Sequence, residues 1–254
     1  MDAALSPDWP APAKVRAFTT LRHGSGLSAS PFDSFNLGAR CGDDPQAVAG
    51  NREELIRHFA LPSVPRWLRQ VHGNEVVRLD HRGAALSAEL QADAAITATP
   101  GVVLAILSAD CLPVLFSAQD GCEVAIAHAG WRGLAAGVLE TTVSAMHTAP
   151  GRLLAWLGPA AGPDAYEVGD EVRAAFVERE DADSSAFIPT RTGHWLCDLY
   201  ALARSRLHAM GVTRIHGGGL CTIRDPVRFY SHRRDGVSGR MASVIWLREA
   251  DDNA

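Results

Sequence analysis

The feature that most constrains this chain is a succession of short, uninterrupted apolar runs. They are Val102–Leu107, Pro113–Phe116, the Val124–Ala127 part of the predicted strand Glu123–Ala127, and Leu153–Leu157, with turn residues such as Pro100-Gly101 and Asp120-Gly121 between them. A strand with one wet face alternates apolar and polar residues; a run without alternation belongs to a strand buried on both faces. Such a sheet must be covered on each side. The covers are legible as amphipathic helices. One opens at Asp44-Pro45 and carries Val48, Leu55, Ile56 and Phe59. A second follows Gly130 and Gly133 with Leu134, Val138, Leu139, Val143 and Met146 on one side. A third runs from about Gly169 to Glu178, and a fourth is capped by Asp198 and stopped by Gly211. Val15–Thr20 and Val244–Leu247 complete the strands, and Trp67–Gly73 reads as extended. The expected class is mixed α/β in a single domain, residues 1–254. Residues 1–13 and 249–254 are expected to be flexible tails.

The composition bounds the function. With 47% apolar and 21% charged residues the 254-residue chain can build a sizeable core. A net charge of -5, with no run of lysine or arginine, supplies no basic field for a nucleic acid backbone. No apolar run approaches the roughly 20 residues of a membrane span, and the opening Met1–Asp8 has no signal-peptide pattern. A cytoplasmic protein, more readily monomeric than oligomeric, is the expectation. Cys41, Cys111, Cys122, Cys197 and Cys221 are odd in number and widely spaced, which suits reduced thiols.

The chemistry-bearing residues cluster at predicted strand ends. Gln70-Val-His-Gly73 places His72 beside a glycine turn, Ser108-Ala-Asp-Cys-Leu-Pro113 places Cys111 after an apolar run, and His128 ends the run that begins at Glu123. A thiolate and two imidazoles suit one zinc ion with a fourth position left open. The same residues suit a thiol and imidazole dyad for nucleophilic catalysis, and a free cysteine is also at home as a small buried apolar residue. His58, His81, His147 and His208 lie among surface residues and read as solvated bystanders. His232 stands apart, between Ser231 and the pair Arg233-Arg234. Those arginines and Arg240, set beside glycines, can grip a phosphate or carboxylate bidentately or form surface ion pairs. Asn36 can bond a base or sugar, or simply close a local turn. The loop His23–Pro31 matches neither a P-loop nor a GxGxxG fingerprint.

Taken together, Ser34-Phe-Asn-Leu-Gly38, Gln70-Val-His-Gly73, Ala109-Asp-Cys-Leu-Pro113, His128-Ala-Gly-Trp-Arg-Gly133, Gly158-Pro159 with Tyr166-Glu-Val-Gly169, and Ser231-His-Arg-Arg-Asp-Gly236 with Gly239-Arg240 strongly resemble the YfiH-type family. This family is also called the multicopper polyphenol oxidase or laccase-domain family and includes bacterial purine nucleoside phosphorylases. The resemblance spans about Phe18 to Leu247. It implies a fold of layered sheets flanked by helices and a zinc ion held by His72, Cys111 and His128; Asn36, Gln70, Arg233 and Arg240 are the expected substrate-binding residues. It also implies phosphorolysis of adenosine, guanosine, inosine and S-methyl-5′-thioadenosine, with hydrolytic deamination of adenosine, so that purine nucleosides and phosphate are the partners. Copper, with a polyphenol oxidase (laccase) activity, is the alternative in the family's older naming, and a Cys-His hydrolase is the other. The chain departs from the common pattern after Gly162-Pro163, where many members carry cysteine and this one has Asp164-Ala165.

Overall fold

A computed structural model describes residues 3–80 and 89–249. His81 and residues 250–254 of the expected C-terminal tail lie outside the described residues. The central sheet has six strands in the order Arg214–Gly217, Leu153–Leu157, Leu112–Ala118, Val124–Ala129, Ala94–Thr97 and Val76–Arg78. Its two outermost pairings are parallel and its three inner ones antiparallel. The hairpin between the strands Leu112–Ala118 and Val124–Ala129 turns at Asp120-Gly121, where Gly121 adopts φ +66 and Asp120 accepts the Cys122 amide at 3.0 Å. A second sheet, antiparallel throughout, has the order Ala4–Leu5, Val15–Thr20, Met241–Leu247 and Leu104–Ser108.

The lack of alternation in the apolar runs is explained by which core each face enters. Leu115, Val124, Ile126 and Trp156 pack onto Leu104, Ile106, Ile245 and Leu247 between the two sheets. Their neighbours Val114, Phe116, Ala125, Ala127, Leu153 and Ala155 face the opposite way, onto Val138, Leu139 and Val143 and onto Leu199, Leu202 and Leu207. The outer face of the second sheet, through Phe18, Val244 and Trp246, is covered by Leu55, Ile56 and Phe59 from the helix Pro45–His58 and its end. The layers are therefore helix, sheet, sheet, helix. Burial of each such large apolar side chain is worth about 1.5–3 kcal/mol.

The structure differs from the apolar pattern in detail, and one expectation, the single helix after Gly130, is corrected. The segment after Gly130 is two helices, Trp131–Ala135 and Val138–Ala145, because Gly137 between them takes the left-handed value φ +89. The extended segment Trp67–Gly73 contains a strand only at Leu68–Arg69, since the amides of residues 71–73 bond a side chain instead of a neighbouring strand. Within the expected N-terminal tail, Ala4–Leu5 pairs with Thr19–Thr20, and Asp8 accepts the Trp156 Nε1 hydrogen at 3.1 Å. A small sheet of Glu167–Gly169, His194–Cys197 and Phe187–Arg191 had no counterpart in the apolar pattern. Its strands are mostly exposed or half-buried, so they lack the continuous runs that marked the others.

Candidate metal centre and its cavity

The three candidate ligands meet where the two sheets exchange the chain. The strand Leu104–Ser108 belongs to one sheet and Leu112–Ala118 to the other, and Cys111 lies in the short crossing between them. His128 is the penultimate residue of its strand, in register with Pro113, which brings it alongside Cys111. His72 arrives from the loop after Leu68–Arg69 with φ +61, a left-handed backbone that costs a non-glycine residue about 1–2 kcal/mol. Cys111 Sγ is 3.8 Å from His72 Nε2, and the two imidazole rings are 4.9 Å apart at 73°. Gly130 is required here: a Cβ at that position would lie 2.7 Å from Cys111 Sγ and 3.2 Å from His72 Cδ2.

Two aspartates hold this arrangement, and sequence reasoning assigned neither a role. Asp93 is fully buried, accepts the His128 Nδ1 hydrogen at 2.8 Å, and takes the amides of Val71, His72 and Gly73 at 3.1, 3.0 and 2.8 Å. Its carbonyl also accepts the His128 amide at 2.7 Å. One carboxylate thus stabilises the left-handed turn at His72 and leaves His128 Nε2 facing the cluster, the usual outer partner of a metal-bound imidazole. Asp110 adopts φ +88 and accepts from Thr222 Oγ1 and the Arg233 amide, both at 2.6 Å, while its carbonyl takes the Ala161 amide at 2.9 Å. The only sequence signal for either was a polar residue bordering an apolar run.

Burial by itself would raise the Cys111 thiol, but the His128 charge and hydrogen bonds from His128 and His72 outweigh it and bring the thiol down to about 6. Burial likewise opposes charge on His128, yet the Cys111 thiolate and the Asp93 carboxylate push the imidazole up to about 9. In the metal-free protein the pair is therefore a thiolate and an imidazolium. The donor set fits a metal ion. The ligand atoms of His72, Cys111 and His128 lie within 4.8 Å of one another. Donors about 2.0–2.3 Å from a tetrahedral zinc are spaced about 3.3–3.7 Å apart, a small contraction of what is seen.

A cavity of about 480 Å³ opens on the cluster. Arg240 and Gln70 line it, as does His232, which is exposed to it from the helical turn His232–Asp235. The Gln70 amide is engaged, giving Nε2 to the Leu107 carbonyl and accepting the Leu107 amide, both at 2.8 Å. Asn36 does not reach the cavity. It is fully buried, accepts from the amides of Gly38 and Arg240 at 2.9 and 2.8 Å, and donates to Asp43 at 2.8 Å. Its amide orders the wall at Gly38 and Arg240, both of which line the cavity. Arg233 turns aside, donating to the Glu167 carbonyl over the Tyr166 ring, and Arg234 spans Asp235 and the carbonyls of Thr222 and Phe229. The cavity takes Arg40, Arg52 and Arg132 in their place. Of these three only Arg132 lies in a motif read from the sequence, His128–Gly133, and its guanidinium was assigned no role there. His58, His147 and His208 are exposed, as expected.

Residues 16–248 match the family described as multi-copper polyphenol oxidoreductase laccase. The chain belongs to this laccase family. A Xylella fastidiosa (strain Temecula1) protein named purine nucleoside phosphorylase is 56% identical over 250 residues, 96% of each chain. An Escherichia coli (strain K12) protein named purine nucleoside phosphorylase YfiH is 51% identical over 247 residues, covering 97% of this chain and 100% of that one. A Neisseria meningitidis crystal structure described as family-model DUF152 superposes with a TM-score of 0.92 at 45% identity, over 98% of this chain and 100% of that one. The YfiH resemblance carried by the motifs holds. In this laccase-family chain the match takes in His72, Asp93, Cys111, His128 and Arg240.

Proposed function

We propose that the chain is a zinc-supported purine nucleoside phosphorylase, acting on adenosine, guanosine, inosine and S-methyl-5′-thioadenosine, and that it also deaminates adenosine. The observation that carries this reading is the His72, Cys111 and His128 cluster on an arginine-lined cavity of about 480 Å³, in a chain 56% identical to a protein of that name. Phosphorolysis breaks the bond between C1′ and the purine nitrogen, forms a bond from C1′ to a phosphate oxygen, and returns a proton to the base. Deamination replaces the adenine amino group by a water oxygen and releases ammonia. A zinc ion held by the cluster would supply Lewis-acid polarisation of an oxygen nucleophile. The residues of the chain do the rest. Asp93 orients the His128 imidazole and holds the backbone turn that presents His72, the apolar Leu68 and Leu107 offer a surface to the purine, and Arg240 draws in the phosphate charge. We place this activity in one catalytic domain.

Zinc is preferred to copper because a multicopper centre takes more imidazoles than this group of three supplies, and no second such group occurs among the described residues. The 3.8 Å approach of Cys111 to His72 also permits a thiol dyad. Metal content measured on protein purified without added metal, with release of free base from adenosine and inosine in the presence of phosphate, tests the proposal. Stoichiometric copper without nucleoside turnover would overturn it. Activity that survives chelation but is lost in Cys111→Ser would establish the dyad instead.

A further inference from the structure

The cavity carries Arg40, Arg52, Arg132 and Arg240 from separate segments, against one carboxylate, Glu89. Glu89 is placed against two of the four. Its Oε2 is 2.5 Å from Arg40 Nη2 and its Oε1 3.9 Å from Arg52 Nη1. Arg52 is fixed independently, by a 3.1 Å bond from Nε to the Leu37 carbonyl and by the Trp67 ring 4.3 Å from its guanidinium. Among the described residues Glu89 Oε2 is buried without an aligned hydrogen bond, and charge is what holds the carboxylate against Arg40 and Arg52.

The other two arginines have no carboxylate partner among the described residues. Arg132 lies over the Trp131 ring at 4.3 Å, two residues beyond the Gly130 that abuts Cys111 and His72. Arg240 is pre-organised. Its Nη1 donates to the carbonyls of Ser238 and Gly239 at 2.6 and 2.9 Å, and its stem lies against Gly38. Its Nε and Nη2 edge makes no protein hydrogen bond among the described residues, which leaves a fork of the shape that an oxyanion accepts bidentately.

We infer that the cavity has two oxyanion positions and that the protein fills one of them. Inorganic phosphate takes the Arg132 and Arg240 position, and Glu89 occupies the Arg40 and Arg52 position, excluding ligands that bring a second phosphate, such as nucleoside 5′-monophosphates. The choice of phosphate rests on the phosphorylase reading. A second anionic group entering the cavity would have to displace Glu89 or sit against it, and like charges at that range repel. The neutral 5′ end of a nucleoside meets no such opposition.

Calorimetric titration of the metal-loaded enzyme with inorganic phosphate tests the assignment without needing turnover. The wild-type protein should bind one phosphate, and Arg132→Gln and Arg240→Gln should each weaken it by about tenfold or more. Arg240→Lys should recover part of the loss, which a misfolded cavity would not allow. Glu89→Gln should raise the stoichiometry to two and tighten inhibition by adenosine 5′-monophosphate about tenfold or more. A stoichiometry of one and unchanged inhibition in Glu89→Gln would overturn the inference, as would wild-type phosphate affinity in both arginine variants. If phosphate binds as described but no nucleoside is cleaved, the phosphorylase reading fails and the anion positions stand. If nucleosides are cleaved while the arginine variants bind phosphate normally, the reverse holds.

Discussion

Asp93 accepts the His128 Nδ1 hydrogen at 2.8 Å while the same carboxylate takes the amide of His72 at 3.0 Å. One buried anion therefore orients the His128 imidazole and fixes the backbone turn that carries His72. Asp93→Asn preserves volume but replaces one oxygen by an amino group, which cannot accept from an N–H. At least one of its four donors is then left facing a donor. Loss of such an outer partner weakens metal binding about 10–100-fold, and an unsatisfied buried donor costs about 1–3 kcal/mol. Competition with a chelator and thermal melting measure the two effects. Wild-type metal affinity in the folded variant would remove Asp93 from the centre.

The thiolate and imidazolium pair makes metal binding depend on pH with a definite sign. His128 is pushed up to about 9 and must lose its proton to become a ligand, so between about pH 6 and 9 metal affinity should rise about tenfold per pH unit. Below about 6 the Cys111 thiolate is protonated as well and the slope should steepen. Above about 9 it should flatten. In the metal-free protein the same pair predicts alkylation of Cys111 with a midpoint near 6, moving upward in His128→Ala. A midpoint near that of an ordinary thiol would show that the pair does not form.

How much of this could be read in the chain depends on what kind of contact each residue makes. The strands Val15–Thr20 and Leu153–Leu157 and the capped helices at Asp44 and Asp198 were legible, because apolar run, cap residue and stop residue are local signals. Cys111, His72 and His128 were legible as residue types with the right chemistry at strand ends. Asp93, Asp110 and Glu89 were not, since each acts by accepting from groups tens of residues away, and nothing local distinguishes such a carboxylate from a surface one. Asn36 and Arg233 present a different case. Their motifs carry Gly38 and His232 of the cavity wall, while their own side chains bond other protein groups, Asn36 the amides of Gly38 and Arg240 and the Asp43 carboxylate, and Arg233 the Glu167 carbonyl.

Gly130 admits alanine by its backbone, with φ -62 and ψ 159, so any effect of Gly130→Ala must come from contact. The added Cβ would meet Cys111 Sγ at 2.7 Å and push the thiol out of line with His72. Overpacking of this sort costs about 1–3 kcal/mol, and a displaced ligand should weaken metal binding about tenfold or more. The optical spectrum of the cobalt-substituted protein reports the thiolate bond directly. A spectrum and affinity like the wild type would mean that the thiol has room to move without leaving the metal.

Gly137 poses the opposite case. Its φ of +89 is what breaks the apolar stretch after Gly130 into two helices, yet a Cβ there would find only ordinary contacts, 3.6 Å from Glu140 Oε2 and 3.8 Å from Arg179 Nη1. The penalty in Gly137→Ala is therefore conformational, about 1–2 kcal/mol for an L-residue held left-handed. It falls on the junction that lets Val138, Leu139 and Val143 reach the six-stranded sheet, away from the cavity. Melting should drop by about 2–4 °C per kcal/mol in a chain of this size, with metal affinity and nucleoside cleavage unchanged. A matching loss of metal would show that the break at Gly137 also sets the position of Trp131–Ala135, and through it the cluster.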